Sequence, residues 1–185
     1  MYFKNYFLNI YNKTKEIDHN DLLDCVDKIK ITVSTNKKII IVGNGGSAAI
    51  ASHVSVDFVK AANIRAINFN ESDLITCFGN DYGYENWVKE ALKAYADSGD
   101  LVILISSSGK SSNIINAAKF CNEIGLDLIT LSGFDTNNQL RQLGNINLWV
   151  DSTSYNVVEM THHIWLLAIL DFIIDNKVIN NHSKL

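Results

Sequence analysis

The segment Lys38-Ile-Ile-Ile-Val-Gly-Asn-Gly-Gly-Ser47 constrains the fold of this chain more than any other. Four consecutive β-branched residues between a lysine and a glycine read as a strand buried on both faces, as in a parallel sheet covered by helices. Glycines at 43, 45 and 46 permit a tight turn and leave backbone N–H groups open to a ligand. A helical pattern follows near 48–61, with Ser47 at or near its N-cap. Free first-turn amides and the helix dipole favour an anion at such a junction, so Asn44, Gly45, Gly46 and Ser47 are candidate phosphate ligands.

A second junction repeats the device. Asp100-Leu-Val-Ile-Leu-Ile105 reads as another buried strand, Ser106-Ser-Ser-Gly-Lys-Ser111 follows it, and a helical pattern runs over 112–124. A serine-rich loop alone is usually a cap and turn. Two such loops, each between an apolar strand and a helix, favour an anion site that includes Ser106, Ser107, Ser108 and Ser111, with Lys110 beside it. Neither loop has the spacing of a P-loop or of a dinucleotide fingerprint. The expected ligand is therefore a small phosphorylated molecule and not a nucleotide.

Strands are expected near 38–42, 65–69, 101–105, 127–131 and 146–150. Helical patterns lie near 48–61, 72–78, 84–97, 112–124 and 137–142. Residues 1–35 read as helices, and 155–176 as one long apolar helix. The alternation predicts an α/β fold, a five-stranded, mainly parallel sheet sandwiched by helices in a single domain over 1–185, with an α/β core over 38–150. The terminal helices carry more apolar surface than one small sheet covers, which predicts self-association. A net charge of −4 without a basic stripe argues against a nucleic-acid binder. The longest apolar run, 164–174, is broken by Asp171 and too short to span a bilayer, so no membrane role is expected. Cys25, Cys77 and Cys121 are unpaired by spacing and read as reduced thiols of a cytoplasmic protein.

Four further positions bear on chemistry. His53 and Asp57 are four apart on the helix that starts at the first loop, and Glu159 and His163 are four apart on the last helix, with His162 adjacent. Imidazoles and carboxylates on such apolar helices are costly to bury unpaired. Paired, they supply acid/base groups or bind a divalent metal. Gly79-Asn-Asp-Tyr-Gly83 reads as a tight turn in which Asn80 and Asp81 are candidates for contacting sugar hydroxyls. Trp87, Trp149 and Trp165 read as core or interface residues.

Taken in order, these motifs resemble the sugar isomerase (SIS) domain, and most closely the bacterial phosphoheptose isomerases. The likeness rests on Val42-Gly-Asn-Gly-Gly-Ser47, Gly79-Asn-Asp-Tyr-Gly83, Ile105-Ser-Ser-Ser-Gly-Lys-Ser111, Ile129-Thr-Leu-Ser-Gly133 and Val158-Glu-x-x-His162. The resemblance implies a homotetramer with sites at subunit interfaces, and phosphate held by Ser47 and the 106–111 loop. It also implies Asn44 and Asp81 near the sugar. It further implies a zinc site of histidine, glutamate, glutamine and histidine, whose positions fall here on His53, Asp57, Glu159 and Leu167. The glutamate is thus an aspartate, the glutamine a glutamate, and the last histidine a leucine. An arginine usual after the first helix is replaced by Ala61, with Lys60 beside it. His163, one turn before Leu167, is the substitute, giving a candidate zinc set of His53, Asp57, Glu159 and His163.

The activity implied is aldose–ketose isomerisation of sedoheptulose 7-phosphate through an enediol. Asp57 takes the carboxylate role and His163 the imidazole role. The alternatives are a non-catalytic phosphosugar-binding or protein-interaction module, like the SIS protein that associates with the replication initiator DnaA, and an isomerase of a different phosphosugar.

Overall fold

A computed structural model describes residues 1–176; the expected single domain extends beyond them to 185, outside the described residues. Two N-terminal helices, α1 (Tyr2–Lys15) and α2 (His19–Ser34), precede the sheet. Then follow β1 (Ile39–Gly43), α3 (Gly46–Ala62), β2 (Ala66–Asn68), α4 (Ser72–Tyr82) and α5 (Trp87–Tyr95). The rest is β3 (Leu101–Ser106), α6 (Ser112–Ile124), β4 (Asp127–Gly133), β5 (Ile146–Val150) and α7 (Tyr155–Asp175). All five strands are parallel, in the order β2-β1-β3-β4-β5. The α/β sandwich expected from the alternation is what forms.

The apolar runs explain the layers. Ile39, Ile40, Ile41 and Val42 are all fully buried, as are Leu101, Val102 and Leu104. Side chains alternate across a strand, so β1 and β3 feed two cores. Ile39 and Ile41 join Val26 and Ile29 of α2, Ile50, Val54 and Phe58 of α3, and Trp165, Leu166 and Ile169 of α7. Ile40 and Val42 join Trp87 and Leu92 of α5 with Ile114 and Phe120 of α6. Each fully buried large apolar side chain contributes roughly 1.5–3 kcal/mol. α7 is long and apolar enough to cross a membrane by composition, but its apolar stripe is spent on the first core.

Two stretches depart most from the sequence reading. The Gly79–Gly83 stretch continues α4 to Tyr82, with Gly83 as its C-cap at φ 82°, because the apolar period of Leu74 and Phe78 outweighs the turn residues. Of the helix expected over 137–142, only the 3₁₀ turn Leu140–Gln142 forms.

At the amino end of the sheet, Lys38 is folded into a carboxylate cluster. Its Nζ lies 2.5 Å from Asp100, which is fully buried, and 2.8 Å from Asp97. Asp100 also accepts from the backbone N–H of Lys38 at 3.0 Å and of Asp97 at 2.8 Å. Burial pushes the Lys38 ammonium down, yet the hydrogen bonds and charges of Asp100 and Asp97 outweigh it and leave its pKa above 10.5. The hydrogen bond from Lys38 holds Asp97 below 3.8. Lys38's share of the cluster's contribution is therefore complete below pH 10.5 and lost as pH climbs through the raised lysine value. On the acid side, Asp97's share persists above 3.8 and goes as pH falls through its lowered value. Asp100→Ala leaves the buried Lys38 ammonium only the exposed Asp97 and orphans the N–H groups of Lys38 and Asp97, and it is expected to cost about 2–4 kcal/mol in urea unfolding at neutral pH. A loss below about 1 kcal/mol, the range of exposed pairs, would show the cluster to be idle.

Candidate functional site

The chain order reverses direction between β1 and β3. From β1 it goes outward through α3 to β2, and from β3 it goes the other way through α6 to β4. α3 covers one face of the sheet and α6 the other. In an open parallel sheet, the crevice beyond the carboxyl ends at such a switch point is where ligands bind. Both serine and glycine loops lie there. Asn44, Ser47, Ser106, Ser107, Ser108, Ser111, Tyr155 and Glu159 line a common cleft of about 120 Å³. The two loops predicted from sequence thus face one site.

Helix α3 begins at Gly46, two residues earlier than its apolar pattern implied. Gly45 is its N-cap at φ 54°, a left-handed backbone that favours glycine. Ser47 is therefore inside the first turn and not the cap itself, and it is buried. The N–H groups of Ser47 and Ala48 are already taken by Asn44 O at 2.9 Å and Gly45 O at 3.0 Å, so the pull on an anion comes from the dipoles of α3 and α6, which both begin at this cleft.

The serines of the second loop are held ready. The turn closes through Gly109 N–H to Ser106 O at 2.9 Å. Ser106 Oγ–H donates to Ser111 Oγ at 3.1 Å, and Lys110 N–H donates to Ser108 Oγ at 3.3 Å. Ser107 Oγ is buried with no partner among the described residues, and an unpaired buried hydroxyl is costly unless a ligand or water completes it. A strut comes from behind, where buried Asn138 donates to Ser132 Oγ and Gly133 O while Leu140 N–H reaches Gly109 O. Lys110 itself is exposed.

Asn44 lines the cleft, but its amide is engaged within the chain. Asn44 Nδ2 donates to Asn113 Oδ1 at 2.9 Å, and Asn113 Nδ2 returns a 2.9 Å bond to Asn44 Oδ1. Tyr84 Oη–H adds a third contact at 3.2 Å. Asn113, which is buried in the first turn of α6, therefore ties the two loops together. Sequence reading missed it, because no short-range pattern joins residues 69 apart.

Glu159 supplies the cleft's carboxylate. A methyl group at Gly46 would collide with all three atoms of the Glu159 carboxylate group. Only a glycine lets that carboxylate settle on the first turn of α3. A negative group is favoured at a helix N-terminus.

His53, Asp57 and His163 come together, but outside this lining. His53 Nε2 lies 3.1 Å from Asp57 Oδ2, and His53 Nδ1 lies 2.9 Å from His163 Nε2, with the rings edge to face at 4.9 Å. Partial burial, then the neighbouring His53 imidazole, hold His163 below its ordinary pKa, with Asp57 pulling the other way. His162 is a core residue. It donates from Nε2 to Ser132 O at 3.0 Å, and burial lowers its pKa to about 4, so it is neutral. Asn80 and Asp81 bond to each other at 2.9 Å on the exposed end of α4, away from the cleft lining.

The four-residue zinc set expected from sequence is not assembled. His53 spends both ring nitrogens within the chain, and Glu159 lies on Gly46. Leu167 packs against the core. Among the described residues, no three histidine, cysteine, aspartate or glutamate side chains are placed to hold a metal ion.

With this geometry in view, the comparisons with known proteins are consistent. The SIS domain family model matches residues 2–133. The phosphoheptose isomerase of Aliarcobacter butzleri is 34% identical over 163 residues, covering 84% of this chain and 85% of that protein. The probable phosphoheptose isomerase of Thermoplasma acidophilum is 32% identical over 163 residues, covering 84% and 88%. The structure of phosphoheptose isomerase GmhA from Neisseria gonorrhoeae superposes with a TM-score of 0.83 at 25% identity, over 93% of this chain and 95% of that one.

The Asn44–Asn113 clasp is open to a double-mutant cycle. Asn44→Ala is expected to destabilise by about 1–3 kcal/mol because it leaves the buried Asn113 amide unsatisfied, and Asn113→Ala by about 0.5–1.5 kcal/mol because half-buried Asn44 keeps Tyr84. The double variant should fall short of their sum by about 0.5–3 kcal/mol. Strict additivity in denaturant unfolding would mean the two amides are not coupled.

Proposed function

The chain belongs to the SIS domain family, and on that footing we propose that it is an aldose–ketose isomerase of a phosphorylated sugar, interconverting sedoheptulose 7-phosphate and D-glycero-D-manno-heptose 7-phosphate. The observation that carries this reading is the Glu159 carboxylate at the rim of a serine-lined anion cleft. Phosphate sits among Ser106, Ser107, Ser108 and Ser111 at the N-terminus of α6, beside a Ser107 hydroxyl that has no partner among the described residues, with Ser47 at its edge. Its charge anchors one end of the sugar and leaves the carbonyl end toward Glu159.

Glu159 is then the general base. It takes a proton from C1 of the ketose as the C1–C2 enediol forms, and returns it to C2. The C1 hydroxyl proton passes to the neighbouring former carbonyl oxygen, which is cis to it, so the sugar is conserved atom for atom. This moves the carboxylate role from Asp57, which is engaged by His53, to the one carboxylate that lines the cleft. The imidazole role first given to His163 has no counterpart in the cleft lining.

Self-association into a tetramer belongs to the same reading. Tyr2, Phe3, Phe7, Leu8 and Tyr11 of α1 are all exposed. The cleft of about 120 Å³ is also below the roughly 300–1,000 Å³ of sites that enclose small ligands, so a second chain would close the sugar end. A cytoplasmic role in making heptose for surface polysaccharide follows from the substrate.

One observation favours a second reading, binding without turnover: the anion cleft is intact while Leu167 and Asp57 depart from the family's pattern. Incubation with sedoheptulose 7-phosphate in D₂O, followed by NMR, separates the two. Isomerisation with deuterium entering at C1 or C2 is expected. Glu159→Gln should lower kcat by about 10²–10⁴ while phosphosugar affinity stays within a few-fold. Binding with no exchange would select the second reading, and a fully active Glu159→Gln would return the base role to another carboxylate.

A further inference from the structure

We infer that His53, Asp57 and His163 form a metal-free fastener between α3 and α7, and that Glu159 works without a metal ion. The role given to Glu159 rests on the isomerase reading above; the fastener does not. One tautomer satisfies every contact. His53 Nε2–H donates to the Asp57 carboxylate at 3.1 Å, and His53 Nδ1 accepts from His163 Nε2–H at 2.9 Å. Asp57 and His163 therefore lie on opposite edges of one imidazole ring.

That arrangement defeats a metal site by geometry. A cation between His53 Nδ1 and His163 has no access to Asp57, and a cation between His53 Nε2 and Asp57 loses His163. Catalytic zinc is held by three protein ligands with an open fourth position. Glu159 is withdrawn to Gly46, one helical turn along α7 from His163, and Leu167 offers no donor atom. No position gathers more than two of these groups.

The fastener has a use of its own. α3 carries Gly46 and α7 carries Glu159, so a bond between the two helices at His53 and His163 fixes how those residues register. His53 and His163 act here as positioning residues, through Glu159, and touch no substrate.

The test reads metal and activity separately on the full chain. Protein equilibrated with excess zinc, desalted and analysed by plasma mass spectrometry is expected to retain far less than one zinc per chain. Its deuterium exchange on sedoheptulose 7-phosphate should stay within about twofold after EDTA treatment. His163→Leu should lower Tm by about 2–4 °C and reduce kcat more than it raises KM, and His163→Gln, which keeps a donor toward His53, should recover most of both. Retention of about one zinc per chain that disappears in His53→Ala would overturn the inference, as would exchange abolished by EDTA and restored by zinc. Should the protein isomerise no sugar phosphate, the isomerase reading fails, and the zinc content and the Tm series still decide the fastener.

Discussion

Gly43 and Ile105 stand opposite each other on the last rung of the β1–β3 ladder, and that register decides where the rest of the site falls. It ends two buried strands level with one another. The loops that follow leave for opposite faces of the sheet, yet their first residues are neighbours. Only then does Asn44 meet Asn113, and only then do hydroxyls from 47 and from 106–111 share a cleft. A slip of one residue in a parallel ladder would turn each side chain to the wrong face. The fully buried side chains of β1 and β3 anchor both strands in the two cores that flank the sheet. The hydrophobic layers are thus what hold the polar site to its dimensions.

The parts legible in the sequence were those encoded locally. Ile39 to Val42 and Leu101 to Ile105 announce buried strands by composition, and the serine and glycine runs announce the helix starts that follow them. The i,i+4 spacing of His53 with Asp57, and of Glu159 with His163, also gave correct faces, since all four point into the α3–α7 contact. What was illegible depended on long-range geometry. Nothing near Asn44 reveals that Asn113 will absorb its amide. Nothing near Glu159 says that its carboxylate will rest on Gly46 and leave Asp57 to His53. The Gly79–Gly83 segment misled for a different reason: turn-forming residues are a local preference, and packing of Leu74 and Phe78 against the second core overrode it.

Charge is divided within the cleft. The hydroxyl-rich loop before α6 offers donors and no negative group, whereas the first turn of α3 is already occupied by a carboxylate. An anionic ligand is therefore directed toward the α6 side, and the Glu159 side is left for the uncharged part of the molecule. Orientation follows from repulsion as much as from attraction, and it needs no extra contact to specify it.

Helix α7 meets both demands with one rod. Val158, Trp165, Leu166 and Ile169 are buried in the core, while Glu159 and His163 emerge on the side facing α3. A helix moves as a unit, so any substitution that shifts how Trp165 or Ile169 seats also shifts the carboxylate a turn or two away. Heat resistance and turnover in this protein are consequently yoked. A variant selected for a tighter interior should often show altered chemistry, and drift in that interior is held in check by residues that never meet the ligand.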